Sequence, residues 1–484
     1  MVRPLRSVAK FLAISIAVVV ATILVVRAID SLRGPPLEPW HTFVPVELTS
    51  AEMDATDWSG YLAAEDRAFE AVRANVTDML PARDRVGFDR YFDGAPVYPG
   101  SFPQNFNRSY ILTPSGRVVG AAVLLHGLTD APYSMRHIAS LYASHGYVAV
   151  VIRLPGHGTV PAGLTEATWE DWMAATRLAV REAVTRAGPE VPLHVVGYSN
   201  GGALAVLYAL AALTDTSLVR PARLVLLSPM IGVTRFARFS GLAGWPAVLP
   251  PFVKAAWLSV IPEFNPFKYN SFPVNAARQS HRLTVALREE LDAAVRGGRI
   301  GDLPPILTFQ PATDFTVSAR AVVTGLYDRL EANGSELVVY DVNTAAHVDL
   351  LFRDRARLAI ERMLTPPPRA YRVVVVGNAT PGRAAAAERV TEAGATDETV
   401  RALGVDYPVD VYSMSHIAVP FPPHDGLYGS HPDPDDDFGI SLGTIATRGE
   451  TGMLVVGLDT LLRNSSNPFY GAMAAKIEDG IAPR

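Results

Sequence analysis

A short β-type run, Leu193–Val196, leads straight into Gly197-Tyr198-Ser199-Asn200-Gly201-Gly202, and a small-residue helical pattern follows without a linker. A chain that passes from strand to helix in so few residues must turn sharply, and the glycines permit the strained backbone and the close approach of the helix. A G-x-S-x-G pattern alone is weak, since a chain of 484 residues can contain one by chance. Its place between a buried strand and a helix gives it meaning, because that turn lifts the serine hydroxyl above the carboxyl edge of a sheet. Ser199 is the candidate nucleophile.

The rest of the chain supplies the sheet that such a turn requires. From Ser109 onward the β-type runs Val118–Leu125, Tyr147–Ile152, Leu193–Val196, Leu224–Leu227, Ile306–Phe309 and Leu337–Tyr340 alternate with helical patterns such as Thr168–Ala187, Gly202–Leu213 and Ser318–Leu330. Near-continuous apolar strands alternating with helices predict an α/β fold with a mostly parallel sheet covered on both faces. Residues 232–301 break the alternation, being rich in aromatics and prolines, and read as an inserted lid. Beyond Leu364-Thr365-Pro366-Pro367-Pro368 come one more strand signal, Arg372–Val376, an Ala-rich stretch that reads as helix, and a loop-dense tail. The expected domains are an amino-terminal segment 1–34, a linker and helical region 35–115 with a helix capped at Thr49 or Ser50, a core 116–365, and an extension 366–484 packed on it.

The first segment sets Arg3, Arg6 and Lys10 before an unbroken apolar run, Phe11–Val26, that ends at Arg27. Sixteen helical residues rise about 24 Å, a little short of a bilayer core, and snorkelling Lys10 and Arg27 extend the span. A cleaved signal peptide is the alternative, but the run is long for one, and the best small-residue site, Val26-Arg27-Ala28, carries an arginine. The expectation is an uncleaved anchor with the amino end inside and the remainder on the outer, periplasmic or extracellular, side.

The chemistry around Ser199 follows from chain order. Two backbone N–H groups should receive a developing oxyanion: that of Asn200, just after the nucleophile, and that of Leu128 in His126-Gly127-Leu128-Thr129-Asp130, which closes Val118–Leu125. His126 and His157 read as structural. The acid should follow a later strand, and Asp314 lies in the loop after Ile306–Phe309, where it could orient an imidazole. Capping of the next helix is its bland alternative, and Asp341 and Asp349 are weaker rivals. Two histidines compete for the base. His347 follows the strand Leu337–Tyr340, 33 residues after Asp314, while His416 ends the apolar run Val409–Tyr412 and opens a Pro-rich loop.

The chain resembles the serine-dependent α/β-hydrolase superfamily, on its lysophospholipase and monoacylglycerol-lipase-like side. The residues that carry the resemblance are His126–Ser134, Arg153-Leu154-Pro155-Gly156-His157-Gly158-Thr159 and Gly197–Gly201, and it covers roughly Val118–Leu364. Within that superfamily it is similar to a bacterial membrane-anchored group with an insert like Phe264–Pro273 and a tail like Ser415–Pro423 followed by Tyr428-Gly429. The tail resemblance implies that the Ser-His pair is functional and favours His416 over His347. It departs from the simple fold, because a helix and an extra strand would then intervene.

The resemblance implies a carboxylic-ester hydrolase of the esterase, lysophospholipase or monoacylglycerol-lipase type that works through an acyl-enzyme on Ser199. A small or lipid-like acyl ester is the expected substrate, and no metal or organic cofactor is expected. An acyltransferase or thioesterase using the same triad, or a non-catalytic binding protein on the same fold, is the alternative. A net charge of −5 gives no nucleic-acid footprint, and the absence of cysteine excludes thiolate chemistry. The aromatics Phe236, Phe239, Trp245, Phe252, Trp257, Phe264, Phe267, Tyr269 and Phe272 either roof an acyl site or form the insert's own core. The run His431–Asp437 reads as a solvated acidic loop rather than a calcium site.

Overall fold

The computed structural model describes residues 35–232, 250–444 and 465–481 continuously, with residues 247 and 463 and part of the segment 10–29. Its strands are β1 (Tyr110–Leu112), β2 (Gly120–Leu125), β3 (Tyr147–Ile152), β4 (Leu193–Tyr198), β5 (Arg223–Leu227), β6 (Trp257–Ser259), β7 (Phe272–Pro273), β8 (Ile306–Pro311), β9 (Glu336–Tyr340), β10 (Arg372–Asn378), β11 (Ala385–Thr391) and β12 (Glu398–Asp406). Ten of them form one sheet in the order β1-β3-β2-β4-β5-β8-β9-β10-β11-β12. From β3 to β10 every neighbouring pair is parallel. The edge strand β1 and the terminal β11 and β12 run antiparallel to their neighbours.

The period of two along each strand divides the interior into two layers. Ala121, Val123 and Leu125 of β2 face one apolar cluster, with Val148, Val150 and Ile152 of β3. Ala122 and Leu124 face the other, with Ala149 and Val151. Helix Trp169–Ala187 covers the first face; Thr168 caps it by accepting from Asp171 N–H, and the Asp171 side chain answers the cap backbone. The helix Asn200–Ala211 is buried from Asn200 to Leu210, as expected for a helix apolar all round. The expected cap at Thr49 starts the helix Ser50–Ala55 through a reciprocal pair with Glu52.

The region 232–301 contributes more than a cover. Its helix Val274–Arg296 buries Leu283, Leu287 and Leu291 in the first apolar cluster, and β6 and β7 make a small separate hairpin. Phe236, Phe239 and Trp245 lie outside the described residues. The apolar segment Phe11–Val26 is described only in part. Its described residues are helical, with Phe11, Ile14, Val18 and Val25 exposed. Among the described residues no helix is long and apolar enough to cross a membrane.

One expectation fails in the tail. The Ala-rich stretch is strand β11, paired antiparallel with β10 from Val373↔Thr391 to Asn378↔Ala386. Alanine's helical advantage is only about half a kcal/mol per residue. Leaving the β10 edge unpaired would expose a full row of backbone donors and acceptors, and β11 satisfies them while burying Ala386, Ala387 and Val390. The extension thus continues the main sheet.

Candidate active site

The strand order reverses around β2, β3 and β4: the chain passes from β2 out to β3 and returns to the other side of β2. In open α/β sheets the crevice at the carboxyl ends beside such a point receives ligands. Ser199 follows β4 there, with φ 53° and ψ −111°, a conformation that costs a side-chain-bearing residue about 1–3 kcal/mol. Thr129 after β2 and Ser228 after β5 also have positive φ, so among the described residues the non-glycine strain gathers at this one edge.

The surroundings hold the turn. Ser199 N–H donates to Leu227 O at 2.9 Å, and Met230 N–H donates to Ser199 O at 2.9 Å. A Cβ on Gly201 would lie 2.1 Å from Leu125 O, and one on Gly197 2.3 Å from Gly201 O, so only glycine fits at either position. A Cβ on Gly127 would lie 3.3 Å from Ser199 Cβ, which places the loop carrying Leu128 directly beside the candidate nucleophile. Asn200 opens the following helix, and N–H groups in a first helical turn have no intrahelical acceptor. The loop carrying Leu128 and the helical turn opened by Asn200 therefore both adjoin Ser199.

Asp314 and His416 meet although 102 residues separate them: His416 Nδ1–H donates to Asp314 Oδ2 at 2.8 Å. This bond fixes the tautomer that leaves Nε2 as the basic nitrogen. Asp314 Oδ1 accepts from Thr316 N–H at 2.8 Å and Val317 N–H at 3.0 Å, and Gln310 Nε2 donates to Oδ2 at 3.1 Å. Burial pushes the Asp314 carboxyl up, but the His416 imidazole and the two backbone donors outweigh it and hold it below the usual range. The next helix is capped by Ser318, so Asp314 is not its cap. Gln310 was not singled out in the sequence; its signal is a polar side chain at the carboxyl end of the buried strand β8.

His347 is exposed. Its role lies in its backbone, whose N–H donates to Val409 O at 3.1 Å. Asn343, four residues earlier, donates through Nδ2 to Pro408 O and Val411 O, and its N–H donates to Tyr412 O. The loop after β9 is thus the platform on which the segment leading to His416 lies. Tyr198 adds a second hold, donating from its hydroxyl to His416 O at 3.3 Å. Asp341 is engaged by Arg389 at 3.2 Å and by Val342 N–H, and the Asp349 side chain lies outside the described residues.

The remaining histidines of the motifs are structural. His126 is fully buried, its Nδ1–H donating to Gly127 O at 2.8 Å and its Nε2 accepting from Leu154 N–H at 3.0 Å; burial drives its pKa far down. His157 is also fully buried and pushed down to about 3, mainly by burial. Of the described insert aromatics, Phe267 stacks on Tyr133 at 4.2 Å and Trp257 packs edge-on to His41, while Phe264 and Tyr269 line a cavity. In the acidic run, Asp436 pairs with Arg136, and no cluster of three or more metal-ligating side chains occurs among the described residues.

Residues 116–344 match the family model described as Serine aminopeptidase, S33; the matched segment holds Ser199 and Asp314 and ends before both candidate histidines. Over 87 residues the chain is 36% identical to a thermostable monoacylglycerol lipase of Bacillus sp. (strain H-257), covering 18% of this chain and 34% of that protein. The chain therefore spans about a third of the length of that curated relative. Among solved structures it is similar to one of the metagenome-derived lipolytic enzymes LipS and LipT, at 23% identity and a TM-score of 0.39, over 53% of this chain and 95% of that one. A soluble variant of monoglyceride lipase from Saccharomyces cerevisiae shows 15% identity and a TM-score of 0.36, over 53% and 92% of the two chains. With a nucleophile elbow at the strand-order reversal of a mostly parallel sheet, residues 116–344 of this chain have an α/β-hydrolase fold and are similar to the serine aminopeptidase S33 family.

Proposed function

We propose that the protein hydrolyses carboxylic esters through an acyl-enzyme on Ser199. The carrying observation is the 2.8 Å bond from His416 to Asp314, at the carboxyl edge of the sheet from which Ser199 rises in its strained turn. In this reading His416 Nε2 takes the Ser199 Oγ proton as Oγ attacks the ester carbonyl. The Leu128 and Asn200 N–H groups receive the oxyanion, and Asp314 stabilises the imidazolium. His416 then gives the proton to the leaving alcohol. Water, deprotonated by the same nitrogen, releases the acid and restores Ser199. A small or lipid-like acyl ester is the substrate class of this reading, and no step requires a metal or organic cofactor.

The deciding experiment is turnover of a p-nitrophenyl acyl series by the full chain, with fluorophosphonate labelling. Ser199-dependent turnover and labelling support the reading; a protein that neither labels nor hydrolyses any chain length leaves the non-catalytic binding reading in its place. We propose further that Phe11–Val26 anchors the chain in a membrane with the hydrolase on the outer side. Its support is the basic flank and the helical, exposed state of its described residues. Carbonate extraction of membranes and protease accessibility of the carboxyl end test it, and release into the soluble fraction overturns it.

A further inference from the structure

A cavity of about 480 Å³ opens beside the segment that carries His416. Tyr269 lines it and donates its N–H to Thr129 O at 2.7 Å, tying one wall to the loop that carries Leu128. Ile417, the residue after His416, lines the other side, and Phe264 and Leu442 add apolar walls. Into this space come Lys268 and Arg463. Arg463 is held by Thr316 Oγ1, which accepts from Nη2 at 3.2 Å, two residues from Asp314. Among the described residues neither cation makes a salt bridge, in a chain where Arg136, Arg153 and Arg372 each make two.

Lys268 and Arg463 stand close enough to oppose each other. Burial and Arg463 depress the Lys268 ammonium below its ordinary value, and Asp130 opposes this shift. Asp130 is itself pushed up by burial, and its Oδ2 has no hydrogen-bond partner among the described residues. One carboxylate thus stands near Lys268 without making a salt bridge to it. Two cations that line one cavity without a salt bridge repel each other, and a neutral acyl glycerol would leave that repulsion in place. An anionic group would remove it, and paired charges recognise carboxylate and phosphate strongly.

We propose that this cavity is an anion subsite and that the substrate is an ester bearing a carboxylate or phosphate, held by Lys268 and Arg463. The inference deepens the ester-hydrolase reading and rests on it for the word substrate; the anion site itself does not. The charge could sit on the alcohol side, as in an acylglycerol phosphate, or at the far end of the acyl group, as in a dicarboxylate half-ester.

The test uses the full chain in detergent with two matched pairs: lauroylglycerol phosphate against monolauroylglycerol, and mono-p-nitrophenyl adipate against p-nitrophenyl hexanoate. In one pair the anionic ester is expected to exceed its neutral partner in kcat/KM by at least about tenfold, the worth of one charge-assisted hydrogen bond. The pair that responds identifies the side that carries the charge. That ratio should fall towards one in Lys268→Met and Arg463→Gln and persist in Lys268→Arg, which keeps the charge. Ratios at or below one for both pairs in the parent, or ratios untouched by the neutral substitutions, overturn the proposal. Calorimetric binding of glycerol 3-phosphate and of adipate to Ser199→Ala separates the two readings, because it needs no turnover. Lys268-dependent binding without any esterase activity keeps the subsite and removes the hydrolase. Absence of binding together with absent charge preference removes the subsite while ester turnover stands.

Discussion

At the scale of single residues, Ser199 carries the strain and, in the proposed reaction, the chemistry. Ser199→Ala should lower kcat by about 10³-fold or more while the fold is kept. Ser199→Gly should be equally inactive yet more stable by about 1 kcal/mol, because glycine takes φ 53° without penalty. Urea unfolding of the two variants side by side checks this, and equal midpoints would mean that the turn stores no strain. The histidines separate as sharply. His416→Ala should match Ser199→Ala, whereas His347→Ala, at an exposed side chain, should stay within about twofold of the parent. A dead, folded His347→Ala would return the base to the loop after β9. Chain order is enough to propose Ser199, Asn200, Leu128 and Asp314, because each follows a strand within three residues and local signals mark the strands. The base could not be fixed by that rule. His347 satisfies the spacing, but the loop carrying it has become the backbone platform for the segment that delivers His416.

At the scale of elements, the tail loop after His416 is fastened to the core by one buried carboxylate. Asp425 accepts from the Tyr133 hydroxyl at 2.9 Å, pairs with Arg136 at 2.9 Å and contacts His137 Nε2 at 2.8 Å, and its Oδ1 also accepts from Leu427 and Tyr428 N–H. Burial would raise its pKa, but His137 and Arg136 outweigh this and bring it down to about 2. A carboxylate depressed in this way contributes stability that is complete above its unfolded value and is lost as pH falls through the folded one. A shift from 3.8 to about 2 corresponds to roughly 2 kcal/mol, lost between about pH 4 and pH 2. Asp425→Asn should therefore lower the melting temperature at pH 7 and flatten the acid limb of the stability curve in that window. An unchanged acid limb would show that the clamp contributes nothing. The sequence concealed this element. Asp425 lies in a Pro- and Gly-punctuated loop with no periodicity, and its partners Tyr133, Arg136 and His137 lie almost 300 positions earlier. The Ala-rich strand β11 was concealed for a related reason, since its pairing with β10 overrides local propensity.

At the scale of the whole molecule, the extension is part of the sheet and, in the proposed reaction, supplies the base. β10 pairs in parallel with β9, and Val374, Val376, Tyr407, Met414, Phe469 and Met473 fill the same apolar layer as Leu124 and Val151. These contacts do not depend on the connecting chain. A specific protease site placed in the exposed turn at 366–368 should then allow cleavage without separation. The two pieces should co-elute in size exclusion and keep most of the esterase activity, because β9–β10 pairing and the Asp425 clamp hold His416 in place. Separation in urea should abolish activity in both, since Ser199 and Asp314 go with one piece and His416 with the other. The amino-terminal piece would also expose the β9 edge and the apolar layer beneath it, and it should aggregate on removal of urea. Mixing the two pieces before dilution should restore turnover. If the amino-terminal piece hydrolyses esters alone, His416 is not the base, and the extension only covers a self-sufficient hydrolase.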